Sequence, residues 1–379
     1  MKAAFGFLLL SCLFFSCAQE VEQKSLAQDV PLHDDHFSAA AVVSKEVRWA
    51  KGFAFYEDSN ETGVKLFAKE NNWALEIVRV ARLKVQGIPR DGVIYLDDEG
   101  TFAAQSTTQM AFFESIQALE HLNCVAYLDY VKSEAIHAAV ERGEMMDISG
   151  AKEIDFEKLV VCAPDAVLVY PFGYDNEAQF QAAGVPTIPI SEYLEAHPLG
   201  RSEWVKVIGF LCDEAAAAQA AFDQIEAAYL AQLEESSEHQ PSVFTGSYSS
   251  GTWFAPGNDT FMAQFIRDAG GSYLFSDYPG QDNIQLPFET LFVKALEADF
   301  WGKVLYEPGD LSLEEIRSSD ERFTNLKSFK NKQVFYCNAA EVDYFGAGVM
   351  EPHLILADLR AIFHKNESVQ FHYFKPVAR

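Results

Sequence analysis

RSEWVKVIGFLCDEAAAAQAAFDQIEAAYLAQLEE, residues 201–235, holds no proline and a single glycine, Gly209. Trp204, Val207, Ile208, Leu211, Ala215, Ala218, Phe222, Ile225, Ala228, Tyr229 and Leu233 recur through it at helical spacing, the pattern of a helix with one apolar stripe. The spacing predicts a single helix of about 30 residues, roughly 45–50 Å long. Such a helix exceeds what a crossover between neighbouring strands needs, and it lies mid-chain. On its N-terminal side, Cys124–Tyr127, Ala166–Tyr170 and Pro186–Ile190 read as strands alternating with helices at Gln109–His121, Ser133–Arg142, Phe156–Cys162 and Asn176–Ala183. On its C-terminal side the alternation restarts with Val243–Thr245 and continues to a helix over Pro352–Phe363. The expected fold class is therefore α/β, with two three-layer lobes joined by one long helix and a ligand cleft between them.

Local signals fill in the rest. Residues 49–83 read as a β meander, and Val93–Leu96 with Thr101–Ala104 as a hairpin around Asp97-Asp98-Glu99-Gly100. Thr107 or Thr108 is the expected cap of the first helix and Asp155 that of the helix from Phe156. Cys124, Cys162, Cys212 and Cys337 are widely spaced with no CxxC, so buried free thiols are expected.

The N-terminus is expected to direct the chain out of the cytoplasm. Lys2 precedes an uncharged stretch from Ala3 to Ala18, the length of a secretory signal rather than a membrane span. It ends in Phe14-Phe15-Ser16-Cys17, which resembles a bacterial lipoprotein processing site. The expected division is a signal peptide over 1–16, a lipidated Cys17 opening a flexible tether over 17–44, a first lobe over 45–198, the joining helix over 199–237 and a second lobe over 238–379. The chain is thus expected to be periplasmic and lipid-anchored to a membrane.

Composition and motifs exclude several functions. Asp and Glu number 56 against 29 Lys and Arg, a formal charge of -27, which repels nucleic-acid backbones. There is no GxSxG, HExxH, phosphate loop with its lysine or dinucleotide fingerprint. The nine histidines are scattered, so neither a metal site nor a cofactor is expected. Gly246-Ser-Tyr-Ser-Ser-Gly251 has the glycines of a phosphate cradle but no nearby Lys or Arg. Its neighbours Tyr248, Trp253 and Phe254 follow a strand end, where α/β sheets bind ligands.

Several segments resemble the periplasmic substrate-binding proteins of ABC importers for iron–siderophores, haem and cobalamin, of the Bacteroidetes lipoprotein type. They are Trp49-Ala-Lys-Gly-Phe53, Gln105-Ser-Thr-Thr-Gln109, Asp155-Phe-Glu-Lys-Leu159 with Ala163-Pro-Asp-Ala-Val-Leu168, and Gly184-Val-Pro-Thr-Ile188. In the second half they are Gly251-Thr-Trp-Phe-Ala-Pro-Gly257, Phe265-Ile-Arg-Asp-Ala-Gly-Gly271, and Gly346-Ala-Gly-Val-Met-Glu-Pro352 with Ile355–Leu359 and Ile362-Phe-His364. The resemblance covers about residues 49–374. It departs from the family pattern at Ala163, His353 and Lys365, positions that read as helix caps and turns.

This resemblance implies binding rather than catalysis. It lines the cleft with Ser106, Thr107, Tyr170, Phe172, Tyr174, Tyr248, Trp253, Phe254 and Tyr336, with Tyr344 and Phe345 as further contacts. It makes Glu157 and Glu289 the surface acids that dock on arginines of a permease dimer. The implied ligand is a small metal chelate: an iron–siderophore, haem, or cobalamin or cobinamide. The candidate loops hold no Arg or Lys, which tilts away from anionic catecholates, although Arg82, Lys84, Arg201 and Arg267 remain candidates to reach the cleft. A monomer is expected, with its delivery face free. The alternatives are an exported chelate-binding protein without a permease, or an exported enzyme on the same scaffold.

Overall fold

The computed structural model describes residues 47–57, 59–69, 75–83, 92–96, 100–151, 153–170, 177–233, 240–366 and 368–378. The signal segment, Cys17 and the tether lie outside these residues, as do Lys84, Phe172 and Tyr174. Strands β1 (Phe53–Glu57), β2 (Glu61–Lys69) and β3 (Leu75–Leu83) form the expected antiparallel meander. Val64 and Leu66 of β2, two residues apart on one face, are wholly buried.

The next two strands correct the expected hairpin. β4 (Val93–Tyr95) joins β3 in parallel, with Ile94 opposite Val80. β5 (Phe102–Ala104) enters a different sheet. After it come α1 (Thr107–Ser115), β6 (Leu122–Val125), α2 (Glu134–Glu141), β7 (Met146–Asp147), α3 (Phe156–Cys162), β8 (Ala166–Val169), α4 (Glu177–Ala183) and β9 (Thr187–Pro189). These strands make a parallel sheet in the order β7-β6-β5-β8-β9. Phe102, Ala103 and Ala104 are all fully buried, as the centre of a sheet covered on both faces requires. A hairpin would have left one face of those three residues in water.

Caps agree with the sequence in part. Asp155 accepts from Lys158 N at the start of α3, as expected. Ser106, and neither threonine, caps α1, in a reciprocal pair with Gln109. Cys124 on β6 and Cys162 on α3, expected as free thiols, are joined as a disulfide with Cα atoms 6.5 Å apart. Cys212 and Cys337 are free and buried.

The joining segment is three helices, not one: α5 (Pro198–Glu203), α6 (Val205–Leu211) and α7 (Ala215–Leu230). The chain bends at Trp204 and turns back at Asp213, whose φ is 59°. A Cβ on Gly209 would stand 2.4 Å from the Cβ of Ala218, whereas residues nine apart in a straight helix are separated by about 13 Å. The helical spacing itself holds, since Ala218, Phe222, Ile225 and Tyr229 form the buried stripe of α7. The turn escapes detection because Cys212-Asp213-Glu214 lacks Gly and Pro, and Asp is among the few side chains that enter the left-handed region readily.

The second lobe contains β10 (Ser242–Thr245), β11 (Ser247–Ser249), β12 (Thr252–Pro256), α8 (Phe261–Asp268), β13 (Ser272–Tyr273), β14 (Asn283–Pro287), α9 (Phe288–Ala295) and β15 (Phe300–Leu305). It continues with α10 (Leu313–Ser319), α11 (Lys327–Lys330), β16 (Val334–Asn338), α12 (Pro352–Phe363) and β17 (Lys375–Pro376). Its main sheet runs β13-β10-β15-β16-β17, parallel except for β17. An antiparallel sheet, β11-β12-β14, stands beside it. Ala163 is the left-handed C-cap of α3, and Lys365, just past α12, also has positive φ. His353 lies in the first turn of α12. All three departures from the family pattern thus sit at helix ends.

Candidate ligand cleft

The carboxyl ends of parallel strands are where an α/β sheet offers unsatisfied backbone groups and loops to a ligand. In the first lobe those ends lead to Gln105–Thr107 after β5, Ala126–Tyr130 after β6, Tyr170 after β8 and Ile190–Tyr193 after β9. In the second they lead to Gly246–Tyr248 after β10, Tyr306–Asp310 after β15 and Ala339–Phe345 after β16. The two sets meet. Tyr130 and Tyr306 stand with ring centroids 5.7 Å apart. Lys132 Nζ donates to Ala340 O at 2.5 Å, and Thr108 Oγ1 to Phe345 O at 2.6 Å. Burial and the neighbouring Tyr306 and Asp129 raise the pKa of the Tyr130 hydroxyl, so it remains a donor at neutral pH.

The expected lining divides. Ser106 and Thr107 are half-buried at the head of α1, the Ser106 hydroxyl accepting from Gln109 N. Tyr170 lies 4.4 Å, centroid to centroid, from Tyr193. Tyr248 is half-buried, accepts from Arg322 Nη2 at 3.2 Å and meets Phe288 edge-on. Phe254 is half-buried on β12, opposite Ser247 and Gln285. Trp253 and Tyr336, by contrast, are placed in the core. Trp253 is wholly buried against Phe244 and Trp301 and donates to Thr245 O at 3.2 Å. Tyr336 is buried, with its hydroxyl on Asp310 Oδ1 at 2.9 Å. Tyr344 is buried too, edge-on to Phe345.

Sequence reasoning passed over Tyr127, Tyr130, Tyr193 and Tyr306. All lie within five residues of a strand end, and that position was the available signal. Tyr127 also has φ 58°, a conformation unusual for a bulky residue and a pointer to function when observed.

Basic groups are mostly committed elsewhere. Arg82 donates to Phe210 O and Leu211 O, and Arg267 to Asn258 and Gln264. Arg201 lies over the Phe261 ring, 3.8 Å from Glu192. Lys303, on β15 with Nζ 5.1 Å from the Trp301 ring, has its pKa pushed down to about 8 by burial. Among the described residues no group of three His, Cys, Asp or Glu side chains is arranged to hold a metal ion.

Glu192, beside the cleft, is buried, and its Oε2 has no hydrogen-bond partner. Burial raises its pKa to about 7 against the opposing charge of Arg201. The folded state thus keeps a proton that the unfolded chain loses above about pH 4.5, and stability falls as pH rises from there to about 7. Glu192→Gln is expected to flatten that part of a urea-midpoint profile; an unchanged slope would mean that Glu192 is ionised throughout.

A family model described as periplasmic binding protein matches residues 110–341. The chain belongs to the periplasmic binding protein family. Membership of it implies a location outside the cytoplasm, and no described helix is long and apolar enough to cross a membrane. An uncharacterized lipoprotein of Methanocaldococcus jannaschii is 26% identical over 235 residues, covering 60% of this chain and 55% of its own length. The chain therefore spans about half of that relative. The periplasmic haem-binding protein of Vibrio cholerae superimposes with a TM-score of 0.55 at 14% identity, covering 68% of this chain and 98% of that one. An ABC-type Fe3+-hydroxamate transport system protein of Saccharomonospora viridis gives 0.54 at 14% identity, over 70% and 94%. At these identities the likeness is one of fold. Periplasmic binding proteins are binders rather than enzymes as a family.

Proposed function

We propose that the chain is the capture component of an ABC importer, a lipoprotein tethered through Cys17. In this reading it binds a metal chelate between its lobes and hands it, as a monomer, to a membrane permease through Glu157 and Glu289. The observation that carries the reading is the opposition of aromatic strand ends from the two lobes, Tyr130 against Tyr306, within a family of binding proteins. Aromatic faces hold flat or greasy ligands by contact area and edge-to-face geometry. Haem, a corrinoid and a neutral hydroxamate complex suit such walls better than a catecholate of high negative charge. Glu157 and Glu289 support the docking step by position. Both are exposed acids in the first turn of a helix, α3 and α9, one on each lobe.

The test is titration of the mature protein with haemin, cobalamin, cobinamide and a panel of ferric siderophores, read by ligand absorbance and tryptophan quenching. Saturable binding of one chelate at about micromolar affinity or better is expected. Tyr130→Ala is expected to weaken it about thirtyfold, the effect of losing one aromatic anchor worth about 2 kcal/mol. Absence of binding across the panel would remove the chelate reading.

A further inference from the structure

Two helices, one on each lobe, open with the same pattern. α3 begins Phe156-Glu157-Lys158-Leu159-Val160-Val161, and α9 begins Phe288-Glu289-Thr290-Leu291-Phe292-Val293. The shared form is Phe-Glu-x-Leu-x-Val, starting at the first helical residue both times. The inward half of the pattern is structural. Leu159 and Leu291 are buried, Phe288 is buried, and Phe156 packs on Phe180 at 5.1 Å.

The outward half has no structural partner among the described residues. Val161 is 73% exposed and Val293 76%; with Val160 at 54% they are the most exposed large apolar side chains among the described residues. Each of Val161 and Val293 follows its glutamate by four residues, so acid and valine share one helix face. Beside Glu157, the side chains of Phe156, Val160, Gln179, Ala182 and Ala183 line an apolar groove of about 520 Å³ between α3 and α4. Glu157 has no ion pair among the described residues, and Glu289 has only Arg322 at 4.0 Å. A lone exposed valine needs no explanation. The same exposed valine beside the same exposed acid, once per lobe, is a repeated surface feature with an unmet requirement for burial.

We infer that the two patterns form a paired contact site for a partner that presents one basic and apolar face twice, the permease dimer of the proposed importer. The inference rests on that importer reading and adds to it the apolar half of the interface. The glutamates choose and orient a basic partner in the encounter. Val160, Val161 and Val293 then supply the water-excluded contact that holds the docked state. A protein carrying a charge of -27 would meet a basic surface with charge alone, but charge alone would not fix which face docks.

The test places p-benzoylphenylalanine at positions 157, 161, 289 and 293 of the full chain, and at exposed position 369 as control, in cells of the source organism. After irradiation the adducts are identified by mass spectrometry. Positions 161 and 293 are expected to give adducts with one and the same integral membrane protein, and position 369 none. Adducts at 157 and 289 but not at 161 and 293 would overturn the apolar contact and leave the importer reading standing. Adducts with two different proteins, or with a second copy of this chain, would overturn the paired site. No adduct at any of the four positions would remove the importer reading as well. In parallel, Val161→Lys combined with Val293→Lys is expected to lower cargo uptake by at least about tenfold with cargo affinity in solution unchanged. Both side chains are exposed, so folding is spared, and unaltered uptake would overturn the inference.

Discussion

Replacing Glu203 with alanine is expected to cost the fold about 3–5 kcal/mol, the loss seen when one partner of a buried ion pair is removed. Glu203 is wholly buried on α5. Its Oε1 accepts from Arg48 N at 2.8 Å and from Lys206 Nζ at 2.9 Å; its Oε2 accepts from Trp49 N at 2.6 Å and Ala50 N at 2.9 Å. Glu195 continues the clamp, accepting from Lys51 N, Gly52 N and Trp204 Nε1. Residues 48–52 precede β1, and β2 reaches back to them through Phe67 N, which donates to Gly52 O at 2.7 Å; their own amides are satisfied by the two carboxylates rather than by a strand. The packing leaves no slack at Gly52, where a Cβ would lie 2.5 Å from the Trp204 ring. Truncating Glu203 strands three amide groups and takes a carboxylate away from the buried Lys206 ammonium. Glu203→Gln, which keeps an acceptor oxygen but loses the charge, is expected to fall between alanine and the native chain. Urea unfolding read from midpoint and slope measures both. A loss below about 1 kcal/mol for the alanine variant would show that water serves these amides equally well.

Breaking the Cys124–Cys162 bond is expected to cost about 3–4 kcal/mol. The bond spans 38 positions, and closing a loop of that length removes roughly this much from the unfolded chain's entropy at 25 °C. It ties β6, beneath the cleft, to α3, which carries Glu157. The cross-link also requires an oxidising compartment, in keeping with a family that works outside the cytoplasm. The urea midpoint is expected to fall on adding reductant, and the doubly alanine-substituted chain to show the lower midpoint with or without it. Equal midpoints for the native chain in both conditions would mean that the bond does not stabilise the fold.

The cysteines show where the sequence stops being readable. Cys124 lies in an apolar strand and Cys162 in a helix, contexts that suit a buried thiol as well as half a disulfide. Only the crossing of α3 over β6 brings their Cα atoms to 6.5 Å. The same holds for Trp253 and Tyr336. The spacing puts Trp253 after an expected strand and Tyr336 at the end of one, as for cleft residues, yet both lie within strands, β12 and β16, and are buried. Tyr130 and Tyr306 carry no local mark beyond nearness to a strand end, and meet only because two sheets from distant halves of the chain face each other.

Periodicity and punctuation are local, and what they govern was legible. The alternation of apolar strands and amphipathic helices determined two α/β lobes around a helical connector, because each element's burial pattern follows from its own spacing. The Asp155 cap and the helix over Pro352–Phe363 were fixed in the same way. Tertiary structure decided whatever depends on residues far apart in the chain. It decided the reversal at Asp213, which brings Gly209 of α6 against Ala218 of α7. It decided the parallel partners of β4 and β5, the carboxylate clamp on residues 48–52, and the pairing of one exposed glutamate and one exposed valine on each lobe. Those arrangements are set by the burial of surface between elements, a quantity that no single stretch of sequence contains.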